Sequence, residues 1–114
     1  MAKVGPFLTD AKAGAYCRIT LDSGEKVIVH HDKGGFKGGR LSVEVLKLMG
    51  FNSQLLFSCD LDVPKGQVVL ERLTRHATPG TADATPLAAF VNYIRDCASV
   101  AEVKTKCGAL MSLQ

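Results

Sequence analysis

The sequence predicts an α+β fold: an antiparallel sheet or small β-barrel built from two hairpins, with C-terminal helices. Three observations carry that expectation. Apolar residues alternate with polar ones along Tyr16–Leu21 and again, less cleanly, along Gln54–Asp62, which is the period of a strand with one face buried. From Leu87 onward apolar residues recur at helical spacing instead. Clusters of Gly, Pro, Ser and Asp separate the patterned stretches. At 114 residues the chain has the size of one domain, so residues 1–114 are read as a single unit. Within it, 15–75 is the β-rich part with a glycine-rich loop at 32–40, 76–84 is a linker and 85–112 is helical.

Cys17, Ile19 and Leu21 alternate with Arg18 and Thr20, and Asp22-Ser23-Gly24-Glu25 reads as a turn. Val27, Ile28 and Val29 are β-branched, so Lys26–His31 returns as the second strand of a hairpin over 16–31. Leu41–Met49 fits two patterns: Leu41, Val43 and Val45 suit a strand, whereas Leu41, Val45, Leu48 and Met49 share one helical face. Punctuation favours the helix, with Ser42 to cap its start and Gly50 to end it while Phe51 folds back on Leu46. The two valines argue against it. A second hairpin is expected over Gln54–Thr74. Leu55, Phe57, Cys59 and Leu61 form its first strand, Val63-Pro64-Lys65-Gly66 its turn and Gln67–Leu73 its second strand.

His76–Ala84, mostly small residues around Pro79 and Gly80, is the linker. Thr85 is a good N-cap and Pro86 belongs at the first helical position, followed by Leu87, Phe90, Val91, Ile94, Cys97 and Ala98 on one face. Ser99-Val100-Ala101-Glu102 has the form of a capping box, so a second helix begins there and ends near Gly108.

Composition excludes several classes. An apolar fraction of 46% with 22% charged residues is too hydrophobic for a disordered chain. No apolar run approaches the roughly 18 residues of a spanning helix, so no membrane association is expected. The N-terminus lacks the apolar stretch of a signal peptide, which points to a cytoplasmic protein. In that setting Cys17, Cys59, Cys97 and Cys107, with no C-x-x-C pair among them, read as small core residues. A net charge of +3 is mild, so any nucleic-acid role must rest on local clustering.

That clustering occurs between His30 and Arg40. Lys33, Lys37 and Arg40 stand among Gly34, Gly35, Gly38 and Gly39, with Phe36 between the glycine pairs. Gly34-x-x-x-x-Gly39-Arg40 approaches a nucleotide P-loop but fails it, because the required Lys and Ser or Thr are replaced by Arg40 and Leu41. No cofactor is indicated. The looser reading is a loop whose unhindered backbone and cations approach phosphates while Phe36 stacks on a base. Arg18 and Lys26 would extend the patch if they lie on the polar face of the first hairpin. The plainer reading is a connection kept polar by its charges. His30 and His31 are adjacent and should point to opposite strand faces, so even with His76 they do not define a metal site.

No catalytic triad or carboxylate pair is recognisable, and the expected function is a non-catalytic binding module. Its ligand would be a nucleic acid or other phosphate-bearing polyanion, contacted by Lys33, Gly34, Gly35, Phe36, Lys37, Gly38, Gly39 and Arg40. Two alternatives stand beside it. One is a structural or adaptor protein assembling through its helices or a sheet edge, including as a homo-oligomer. The other is a small enzyme using a Cys or His.

Overall fold

Five strands follow one another across a single antiparallel sheet in the order β1-β2-β3-β4-β5, and three helices complete the chain. The computed structural model describes residues 3–10, 14–32, 39–46, 53–75 and 85–112. The strands are β1 (Lys3–Asp10), β2 (Gly14–Thr20), β3 (Lys26–Asp32), β4 (Arg40–Leu46) and β5 (Gln54–Asp60); the helices are α1 (Pro64–Thr74), α2 (Pro86–Ile94) and α3 (Val100–Met111). The sheet is open, with β1 and β5 at its edges, so the α+β expectation holds in its sheet form rather than its barrel form.

The β2–β3 hairpin forms as its alternation predicts, with Tyr16 opposite His30 and Arg18 opposite Ile28. β1 was not expected. Gly5 and Pro6 interrupt its pattern, and they fall where the register with β2 shifts between Val4 and Phe7; an edge strand tolerates such a bulge and a proline.

Two expectations are corrected. The helix favoured over Leu41–Met49 is instead a strand through Leu46, paired on both sides, with Leu41 and Val43 fully buried between its neighbours. Two β-branched residues and two partner strands outweigh the helical spacing. The punctuation at Gly50 and Phe51 lies outside the described residues.

The second correction is Gln67–Leu73, which belongs to α1 rather than to a returning strand, so the β-rich part ends at β5. Pro64 occupies the first turn of that helix, and Gly66, Val69 and Leu73 form its buried stripe.

The C-terminal helices follow the sequence reading more closely. Thr85 caps α2 by accepting a hydrogen bond from the Ala88 backbone N at 3.2 Å. α3 begins after Ser99 as expected but runs beyond Gly108 to Met111. Ser99 contributes no side-chain cap; Glu102 instead accepts from the Ala98 backbone N at 2.6 Å.

α2 lies on β2 and β3, α3 reaches β5, and α1 packs against both other helices, so all three cover the same sheet face. The core between the layers joins Ile19, Val27, Val29, Leu41 and Val43 to Val69, Leu73, Phe90, Ile94 and Val103. Burying each such side chain contributes about 1.5–3 kcal/mol. Phe57 and Phe90 meet across the interface with ring centroids 5.3 Å apart and planes inclined at 55°. All four cysteines are buried free thiols. No helix among the described residues is long and apolar enough to cross a membrane.

Candidate functional site

Strand alternation gives β3 two different faces. Val27, Val29 and His31 are buried toward the helices, while Lys26, Ile28, His30 and Asp32 take the opposite face. Cross-strand register extends that outer face into rows. Tyr16, His30, Ser42 and Ser58 form one row, Arg18, Ile28, Glu44 and Leu55 the next, and Asp32, Arg40 and Asp60 form the row beyond His30.

A hollow of about 340 Å³ opens on this face between β3, β4 and β5. His30, Asp32, Arg40, Ser42, Glu44 and Ser58 line it, and Leu55 supplies an apolar wall. Beside it Tyr16 and His30 form an aromatic pair, with ring centroids 6.1 Å apart and planes inclined at 33°. Ile28 is only 9% exposed although it belongs to this face and not to the helix-side core.

The outer face is divided by charge. Lys3, Arg18 and Lys26 are exposed on β1–β3, and among the described residues none of them has an ion-pair partner. Arg18 and Lys26 therefore do lie on the polar face. Asp32 at the end of β3, Glu44 on β4 and Asp60 on β5 supply the negative charge. Arg40 Nε meets Asp60 Oδ1 at 2.6 Å, and this hydrogen bond, the Asp60 charge and the more distant Asp32 all favour its guanidinium form. Glu44 is steadied by Ser53, whose hydroxyl donates to Oε2 at 2.8 Å.

Of the eight residues expected to contact a ligand, Gly39 and Arg40 are described, and Lys33–Gly38 lie outside the described residues. Arg40 is committed to Asp60, so it acts first as a brace between β4 and β5. Gly39 has φ +81°, and a Cβ there would come within 2.5 Å of the Asp32 carbonyl oxygen and 2.8 Å of His31 Nε2. Its own carbonyl accepts from the Leu61 backbone N at 2.9 Å. The fold itself requires glycine at this position.

His30 and His31 do point to opposite faces: His31 is 6% exposed on the helix side, while His30 is half-buried on the outer side. No group of three or more His, Cys, Asp or Glu is placed to hold a metal among the described residues, and His76 lies outside them. Burial pushes all four thiols up, Cys107 to about 12, which keeps them protonated and poorly nucleophilic.

Sequence reasoning missed the Tyr16–His30 pair and the Ser42, Glu44 and Ser58 positions. A tyrosine and a histidine at the same alternation phase of a hairpin were the available signal, but only the register makes them neighbours. The arrangement offers a stacking surface, cations on one flank and hydrogen-bond acceptors in a hollow on the other. The chain matches no protein-family model, and no curated protein or solved structure is similar to it at a significant level.

Proposed function

We propose that this protein is a non-catalytic binding module for nucleic acid, using the sheet face opposite its three helices together with the cationic stretch of sequence from Lys33 to Arg40. The single observation behind this reading is that all three helices cover one face, leaving an aromatic pair and exposed cations on the other. Aromatic platforms accept any base by stacking, and lysine and arginine nearby supply the salt-dependent phosphate attraction. Lys26 and Asp32 are six residues apart along β3, about 20 Å, which would give a short strand of nucleic acid a track along that strand. A cytoplasmic setting belongs to this reading and is consistent with buried thiols.

The test is fluorescence anisotropy with a labelled oligonucleotide at increasing salt. Affinity should fall steeply, and Lys33→Ala with Lys37→Ala should reduce the log–log slope by about 1.4. Affinity indifferent to both salt and the double substitution would contradict the reading. Self-assembly is a second reading, favoured by Phe7 and Leu8, which remain 48% and 41% exposed on the edge strand β1. It predicts a concentration-dependent dimer in sedimentation that Phe7→Ser disperses.

A further inference from the structure

We infer that the hollow between β3, β4 and β5 receives one base of a single-stranded nucleic acid and favours bases with an exocyclic amino group. The inference rests on the nucleic-acid reading above and adds a substrate preference to it.

Charge decides which part of such a ligand enters. Glu44 lines the hollow, and Arg40 of the same lining is engaged by Asp60, so a phosphate would meet the Glu44 carboxylate and an arginine already paired. Arg18 on β2 and Lys26 at the far end of β3 from Asp32, both exposed, present the opposite sign. A chain of phosphates therefore follows β2 and β3 and leaves its bases toward β4. The volume of about 340 Å³ lies at the small end of ligand sites, suited to one ring system and not to a length of polymer.

His30 joins the two features, since it belongs both to the aromatic pair and to the lining of the hollow. A base stacked there lies close to Ser42, directly opposite His30, and Glu44 is two residues farther along β4. That diagonal is about 7–8 Å between backbones, within reach of a base edge. Ser53 holds one oxygen of Glu44, and among the described residues Oε1 has no recorded partner. A carboxylate accepts hydrogen bonds and donates none. It complements the exocyclic amino groups of cytosine, adenine and guanine, whereas thymine presents only an N3–H flanked on both sides by carbonyl oxygens that oppose the carboxylate.

Discrimination is read with four labelled eight-nucleotide DNA strands of equal length: oligo-dC, oligo-dA, oligo-dT and an abasic strand. The expected order places dC and dA about tenfold tighter than dT, with the abasic strand weakest. Glu44→Gln, which preserves size and adds a donor, should bring dC and dT within about threefold of each other. Tyr16→Ala should weaken the base-bearing strands about tenfold and leave the abasic strand unchanged. If all four strands bind equally, or the dC-to-dT ratio survives Glu44→Gln, the base-receiving hollow is overturned while nucleic-acid binding stands. If no strand binds, both fall.

Discussion

Glu25 Oε1 accepts a hydrogen bond at 3.1 Å from the backbone N of Val100, 75 residues farther along the chain. The turn of the first hairpin thereby satisfies an orphan donor at the start of α3 and places a carboxylate at its positive end. Ser23 reinforces the joint, its hydroxyl donating to the same oxygen at 2.8 Å and its backbone N donating to the Ala98 carbonyl at 2.9 Å.

This joint makes stability depend on pH. The Val100 N–H first, and the Ser23 hydroxyl second, hold Glu25 below its ordinary value. A carboxyl whose folded value is depressed contributes fully above its unfolded value, and that contribution is lost as pH falls through the folded one. Urea unfolding of the protein and of Glu25→Gln should therefore differ at pH 7 and converge as pH drops below the ordinary glutamate range. A constant difference down to pH 2.5 would exclude the assignment.

Arg72 secures the opposite end of α3. Its Nη1 donates to the carbonyls of Leu110 at 2.8 Å and Ala109 at 3.3 Å, and also to that of Ser112. A cation bonded to the last carbonyls complements the helix dipole. Arg72→Ala should cost about 1–2 kcal/mol in equilibrium unfolding, and hydrogen exchange should rise first at the C-terminal turn of α3. Protection unchanged there would count against it.

The same substitution should act with opposite signs at two helical glycines. A Cβ on Gly66 would overlap the Asp60 carbonyl oxygen, because α1 starts directly against the end of β5, whereas a Cβ on Gly108 would meet nothing within 4 Å. Gly66→Ala should destabilise by about 3 kcal/mol or more. Gly108→Ala should stabilise by roughly 0.5–1 kcal/mol through helix propensity. Thermal midpoints of the two variants decide the matter.

Buried thiols should alkylate slowly. Under native conditions at pH 8, iodoacetamide should modify none of the four cysteines quickly, with Cys107, pushed up to about 12, among the slowest. One rapidly labelled cysteine would favour the thiol-based enzyme instead.

Local signals made the first hairpin and α2 legible: alternation before Asp22–Glu25 and a β-branched run after it, and Thr85-Pro86 before a helical stripe. Nonlocal partners decided what was missed. β4 is a strand because β3 and β5 flank it, and α1 hides behind Pro64-Lys65-Gly66, whose turn chemistry equally suits the first turn of a helix. At the site, the sequence left it a condition whether Arg18 and Lys26 share the polar face, and the register between β2 and β3 puts them there. Pairing of Tyr16 with His30, the position of Glu44 and the engagement of Arg40 by Asp60 all depend on cross-strand register, which no short stretch encodes.

Backbone amide chemical shifts followed during titration with single-stranded DNA test the binding face most directly. The account predicts shifts concentrated on Tyr16, Arg18, His30, Ser42 and Glu44 and at the Asp32–Arg40 end, with α2 and α3 unmoved. Shifts confined to the helices, or none at saturating oligonucleotide, would contradict it.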